Sequence, residues 1–245
     1  MNSFTLKIAD VSFEVFPMYE TTAVYFRNYL TDDKPAYCVE ITQDDLISEQ
    51  AYLDQEAREE GMKLRKFTAP FLERTAIQRK VAEALLKHDT LLLHGSTVAV
   101  DGKAYLFTAA CGTGKSTHTR LWREVFGDRA VIINDDKPFL KFTGDDVIAY
   151  GSPWSGKHGL DTNTSASLTG ICVLRRGPEN VIYRALIEDV VAMLYHQVFL
   201  PTDPALQEKT KELVGKLVNK VSLWEMECTK DQQAAEIAYA AMSKV

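Results

Sequence analysis

The sequence has little cysteine and no cysteine pair at a metal-ligand spacing. Cys38, Cys111, Cys172 and Cys228 are its four cysteines, and no two form a C-x-x-C. A disulfide scaffold would be short and dense in cysteine, so reduced thiols of a cytoplasmic protein are expected instead. Positive charge is also short: 28 Lys and Arg face 34 Asp and Glu, for a net charge of −6. That balance opposes a basic nucleic-acid-binding face, and no nucleic-acid partner is expected. No apolar run nears the roughly 18 residues that a membrane span needs. Met1–Asp10 lacks the basic stretch and apolar run of a signal peptide. The expectation is a soluble protein with no membrane partner. Repeats, low-complexity tracts and Pro/Ser-rich linkers are missing as well.

What is present is enough to bury a core: 245 residues, 46% of them hydrophobic. That length suits one large domain, or a small one joined to a mid-sized one. Phe4–Ile8 and Val11–Phe16 alternate apolar and polar residues and predict strands, and Tyr37–Ile41 predicts another. Asp44–Gly61 is acidic and reads as an exposed helix or a connection. Pro70 opens a helix over Phe71–His88. From Thr90 the texture turns to short apolar runs: Leu91–His94, Thr97–Val100 and Ala104–Thr108, with the hairpin signal Asp101-Gly102 between the last two. Helix is predicted over Lys115–Phe126, Ile187–Phe199, Pro204–Asn219 and Asp231–Met242. Strand is predicted over Ala130–Asn134, Phe139–Phe142, Val147–Tyr150, Ser167–Leu174 and Ser222–Glu227. The fold class is mixed α+β. A small β-rich N-terminal segment over 1–65 is expected, suited to acceptor binding, with a nucleotide-binding domain over 66–245.

The chemistry concentrates in Ala109-Ala110-Cys111-Gly112-Thr113-Gly114-Lys115-Ser116-Thr117, after a predicted strand and at the start of a predicted helix. That context is the one a P-loop requires. Small residues let backbone N–H groups point at phosphates, and the helix N-terminus adds partial positive charge. Residues 110–117 are therefore expected to hold the nucleotide. Lys115 reaches the β- and γ-phosphates, and Ser116 is a Mg²⁺ ligand. Ala109 stands where the P-loop pattern has its first glycine. Cys111 lies inside the loop, where oxidation would block nucleotide binding.

Val131-Ile132-Ile133-Asn134-Asp135-Asp136 is an apolar strand ending in two acids. A P-loop needs a carboxylate for Mg²⁺, and an attacking hydroxyl needs a proton acceptor. Asp135 and Asp136 are candidates for both tasks. His94, after the apolar Leu91–Leu93, is a candidate for contact with a phosphate or acceptor. Gly151–Gly159 reads as a loop over the site, with Trp154 as an apolar wall and Lys157 as a charge. Arg175 and Arg176 end an apolar run, where an arginine can stabilise transition-state charge.

The order His94-Gly95, hairpin, Gly112-Thr113-Gly114-Lys115-Ser116, strand, Asp135-Asp136 resembles the catalytic domain of HPr kinase/phosphorylase. The loop is also similar to that of ATP-dependent phosphoenolpyruvate carboxykinase. The resemblance covers about residues 90 to 175 and implies a P-loop on a largely β scaffold with flanking helices. It implies that Lys115 holds phosphates and Ser116 the metal. Asp136 matches the proton acceptor of the kinases and a metal ligand of the carboxykinases, with Asp135 as its supporting acid. His94 matches the kinase His-Gly. The likeness stops short of the kinases' protein-substrate signature.

The expectation from residues and resemblance together is an ATP- and Mg²⁺-dependent kinase. It would transfer the γ-phosphoryl group to a hydroxyl of a small metabolite, peptide or protein, with Asp136, Lys115 and His94 as catalytic residues. The alternative is a nucleotide-binding regulator with little or no transfer. A homo-oligomer is compatible with either.

Overall fold

In the computed structural model, which describes residues 3–59, 61–110 and 112–244, the chain divides into two units, Met1–Leu85 and Leu86–Val245. In the first, β1 (Phe4–Ile8) and β2 (Val11–Phe16) form an antiparallel hairpin. Its two loop residues, Ala9 and Asp10, both take positive φ, at 48° and 65°, the requirement of a type I′ turn. A short helix α1 (Thr21–Tyr25) follows, then β3 (Tyr37–Glu40), which pairs parallel with β2. Two longer helices complete the unit, α2 (Gln43–Glu59) and α3 (Ala69–Leu86).

Ion pairs and hydrogen bonds tie α3 into this unit. Buried Glu73 accepts from the Met18 N–H and the Thr22 hydroxyl. Arg79 pairs with Glu49, and Lys80 with Asp45 and the Glu40 carbonyl. The division between units therefore falls at the end of α3, beyond the residue 65 suggested by the sequence.

Among the described residues, the second unit holds a mixed sheet of nine strands. Its elements in chain order begin with β4 (Thr90–Leu92), β5 (Ser96–Val100), β6 (Lys103–Thr108) and α4 (Lys115–Phe126). They continue with β7 (Ala130–Asn134), β8 (Phe139–Thr143), β9 (Asp146–Tyr150) and the long β10 (Ser165–Arg176). Last come β11 (Val181–Arg184), α5 (Ile187–Tyr195), α6 (Pro204–Lys220), β12 (Ser222–Cys228) and α7 (Gln233–Met242).

The strand order is β4-β8-β9-β10-β6-β5-β7, with β12 branching from β10 and β11 pairing with β12. β10 runs parallel to both β6 and β12, and the remaining pairs are antiparallel. The β5–β6 hairpin turns on Asp101 and Gly102, with φ of 51° and 80°, as the Asp-Gly pair predicts.

Alternation along the strands sends neighbouring side chains to opposite faces. Leu106 joins an aliphatic core with Leu194 of α5 and Leu213 and Leu217 of α6. Its neighbours Tyr105 and Phe107 join a second core with Trp122 of α4 and Ala235 and Ala238 of α7. The result is the expected mixed fold, a large mixed sheet with α5 and α6 on one face and α4 and α7 on the other.

Three local differences from the sequence reading have physical causes. The helix expected over Ile187–Phe199 ends at Tyr195, because residues 196–199 run beside β4 instead. There the His94 N–H donates to the Gln197 carbonyl at 2.7 Å and the Phe199 N–H to the Leu92 carbonyl at 3.0 Å. β11 was not expected; it pairs with β12, and its exposed Val181 and Tyr183 are apolar, so the four residues lack the apolar–polar alternation of a half-buried strand. α1 has five residues, below the length at which a helical period shows in sequence.

Candidate active site

The phosphate loop joins β6, which β5 and β10 flank, to α4. Among the described loop residues, Gly112 and Gly114 take positive φ, at 74° and 124°. Ala109 does not, and its side chain is buried in the aromatic core. The departure from the P-loop pattern at this position thus imposes no backbone strain. Cys111 lies outside the described residues. Gly114 is the N-cap of α4 and supplies no side-chain cap. The first-turn N–H groups of Lys115, Ser116 and Thr117 thereby lack a side-chain cap acceptor, the condition for anion binding. Lys115 is buried and folds back, its Nζ donating to the Ala109 carbonyl at 3.1 Å. Arg176 borders the loop from the other side, its guanidinium donating to the carbonyls of Gly112 and Thr113.

Strand alternation separates the two arginines. Cys172 and Leu174 of β10 face the aromatic core, and Arg176 continues that face to the loop. Arg175 continues the face of Ile171 and Val173 and pairs with Glu225.

The acids at the end of β7 lie beside the helix start. The Ser116 hydroxyl donates to the main-chain oxygen of Asp135 at 3.2 Å. Asp135 is 1% exposed. Its Oδ1 accepts the Gly156 N–H at 2.7 Å, while its Oδ2 is buried with no partner among the described residues. Burial pushes the Asp135 carboxyl above the usual carboxylate range, helped by the Asp136 charge and opposed by the Gly156 N–H.

Asp136 has the opposite surroundings. Its Oδ1 lies 3.1 Å from His94 Nε2. Burial raises the Asp136 pKa, but the His94 hydrogen bond and the charges of Lys137, His94 and Lys115 outweigh it and leave the net shift downward. Burial depresses His94 below its usual value despite the Asp136 contact. At neutral pH the pair is thus a neutral imidazole donating its Nε2–H to an ionised carboxylate.

Asn134 builds the turn that presents both acids, a role the sequence reading missed. Its Oδ1 accepts the N–H groups of Asp136 and Lys137 at 2.7 and 2.6 Å. Its Nδ2 donates to the Ser152 carbonyl at 2.9 Å, and the Ser152 hydroxyl donates to the Lys137 carbonyl at 2.6 Å. The signal was present, since Asn commonly bonds the backbone two residues on.

The 151–159 segment is therefore stitched to the acids. A Cβ on Gly151 would meet the Thr162 carbonyl oxygen at 1.9 Å, so only glycine fits. Trp154 is buried in a T-shaped contact with Phe139, which anchors the segment rather than presenting a wall. Lys157 is exposed. The structure thus brings Lys115, Ser116, Asp135, Asp136, His94 and Arg176 to one region, and directs Arg175 and Trp154 elsewhere.

Among the described residues no group of three or more His, Cys, Asp or Glu forms a metal cluster. Mg²⁺ does not require one, because it takes one or two carboxylates and fills its shell with phosphate oxygens and water. Asp135, whose Oδ2 has no partner among the described residues, and Ser116, whose hydroxyl reaches the Asp135 main chain, fit that demand.

No protein-family model matches the chain, and no curated protein matches it. Among solved structures, that of the HPr(Ser) kinase/phosphatase from Coxiella burnetii is similar at 11% identity and a TM-score of 0.35. The match covers 62% of this chain and 95% of that one. No helix among the described residues is long and apolar enough to cross a membrane.

Proposed function

We propose that this protein is a kinase that transfers the γ-phosphoryl group of ATP to a hydroxyl of a metabolite, peptide or protein. The observation that carries the reading is the junction of α4 and β7. The Ser116 hydroxyl bonds the backbone of Asp135, whose carboxylate keeps one buried oxygen without a partner among the described residues. An orphaned buried acceptor is costly unless a ligand completes it. A cation at this place would complete it beside a phosphate-binding loop.

The chain's residues divide the work. Backbone N–H groups of 112–117 and the Lys115 ammonium bind and orient the phosphates. Ser116 and Asp135 would hold Mg²⁺, which supplies charge neutralisation for the β- and γ-phosphates when bound. Arg176, already at the loop, adds a cation near the transferring group. Asp136 accepts the proton of the attacking hydroxyl, and His94 is a positioning residue that holds the carboxylate by its Nε2–H.

The rival reading is nucleotide binding without transfer. It is favoured by the depressed pKa of Asp136, which makes that carboxylate a weak base. Incubation of a cell extract with γ-labelled ATP separates the two, with metabolites and macromolecules counted apart and Lys115→Ala as control. Label in an acceptor only with the intact protein supports the kinase. Nucleotide binding with no labelled acceptor supports the regulator.

A further inference from the structure

The connection between α2 and α3 holds a short extended segment whose outer edge is unpaired among the described residues. Gly61–Lys66 is exposed, and its two large apolar side chains, Met62 and Leu64, are each 52% exposed. The segment is nevertheless fixed in place. The Gln50 side chain donates from Nε2 to the Arg65 carbonyl at 2.9 Å and accepts the Phe67 N–H on Oε1 at 3.0 Å. Phe67 stacks on Phe71 of α3, with ring centroids 4.8 Å apart.

One amide that bonds the C=O of residue 65 and the N–H of residue 67 does what a neighbouring strand does in a parallel ladder. Arg65 and Phe67 thus turn main-chain groups towards Gln50. In an extended chain the residues between and before them turn theirs the other way. Leu64 and Lys66 therefore present N–H and C=O groups on the side opposite Gln50, and no hydrogen bond among the described residues reaches them. Gln50 Nε2 also donates to Asp54 Oδ1 at 2.8 Å, which puts that carboxylate on the Gln50 side.

Charge decides what can pair with this edge. Residues 61–72 carry Lys63, Arg65 and Lys66 and no acid, in a chain of net charge −6. Cations on a free edge repel a second copy of it, a common guard against self-association. A bilayer is a poor partner, because hydrocarbon offers no hydrogen bonds to unpaired main-chain groups. A strand that carries carboxylates meets both demands: its main chain completes the edge and its side chains complement the cations.

We propose that Met62–Lys66 docks an extended acidic segment of a partner protein. The segment adds as a strand against Leu64 and Lys66 and sets carboxylates against Lys63, Arg65 and Lys66. This proposal stands apart from the nucleotide reading, since it uses none of the same residues.

Fluorescence anisotropy with the full chain and three dye-labelled, end-capped peptides tests it. The first alternates Glu and Val. The second has Lys for each Glu. The third is the Glu-Val peptide with every amide N-methylated, which keeps the charge and loses the ladder donors. The intact protein should bind the first roughly tenfold more tightly than either of the others. Lys66→Pro removes an outward N–H and leaves the Gln50 contacts, so it should weaken Glu-Val binding by a similar factor. Should that variant not fold, the N-methylated peptide makes the same test on the intact protein. Lys63→Glu, Arg65→Glu and Lys66→Glu together should reverse the preference to the Lys-Val peptide. Equal binding of the Glu-Val and Lys-Val peptides, or undiminished binding of the N-methylated one, overturns the proposal. So does binding to phosphatidylserine vesicles without binding to the Glu-Val peptide, which would make the strip a membrane contact, and so does binding to neither.

Discussion

The two faces of the nine-stranded sheet are built from different materials. The fully buried cluster beneath α5 and α6 is entirely Leu, Ile, Val and Ala. The cluster beneath α4 and α7 contains Tyr105, Phe107, Trp122 and Trp224. Aliphatic packing supplies burial without direction. Rings with polar atoms supply direction too, because each N–H or O–H seeks a partner. Trp122 finds His118, and Tyr239 finds Asp101. Ser96 and Thr119 share a buried hydrogen bond at 2.8 Å. α4 is therefore fixed in rotation as well as depth. That matters because its first turn carries Lys115 and Ser116. One face stabilises the domain, and the other also aims the site.

Substitutions on each side can sharpen or break that contrast. The largest effect is expected at the acids: Asp136→Asn should cut phosphoryl transfer by about 10²-fold or more while nucleotide binding persists. A single-turnover assay beside a binding titration measures both. On the aliphatic face, Leu217→Ala should destabilise by about 2–5 kcal/mol in urea unfolding and leave ATP affinity unchanged. On the aromatic face, Trp122→Phe should cost less, about 1–3 kcal/mol for the lost hydrogen bond and volume. Yet it should weaken ATP binding, because α4 loses a constraint. If Leu217→Ala weakened ATP binding and Trp122→Phe did not, the division of labour would be wrong.

The smallest expected effect has an unusual sign. Asp135→Asn keeps an oxygen for the Gly156 N–H and removes a buried charge. It should raise stability near neutral pH by about 0.5–2 kcal/mol while removing the Mg²⁺ dependence of ATP binding. The pH profile follows from the opposite shifts. Asp136, depressed in the folded state, contributes stability present above its unfolded value near 3.8 and lost as pH falls through the folded value. Asp135, raised in the folded state, works the other way: stability is lost as pH rises from 3.8 through its folded value. Urea midpoints across that acid range for the intact chain and each Asn variant separate the two contributions.

Much of the framework was legible because it depends on local chemistry. The helix expected from about Lys115 to Phe126 forms over Lys115–Phe126, since a glycine starts it and another ends it. The Asp101-Gly102 turn and the strand before Asp135-Asp136 follow from the same kind of local signal. What depends on distant partners was not legible. Trp154 reads as a loop residue until Phe139 comes to meet it. Arg175 and Arg176 look equivalent until β10 alternation sends one to Glu225 and the other to the loop. The place of His118 emerges only when Phe107 and Trp122 meet it in the aromatic core. Asn134 was a missed local signal, its turn-forming chemistry overshadowed by the acids that follow.

On the reading proposed here, the loop and the β7 acids form one site for nucleotide phosphate and its metal. Calorimetric titration of ATP, with and without Mg²⁺, into the intact protein and into Lys115→Ala tests it most directly. The expected result is Mg²⁺-dependent binding to the intact protein and none detectable to Lys115→Ala. Equal affinity in the two proteins, or binding indifferent to Mg²⁺, would contradict it.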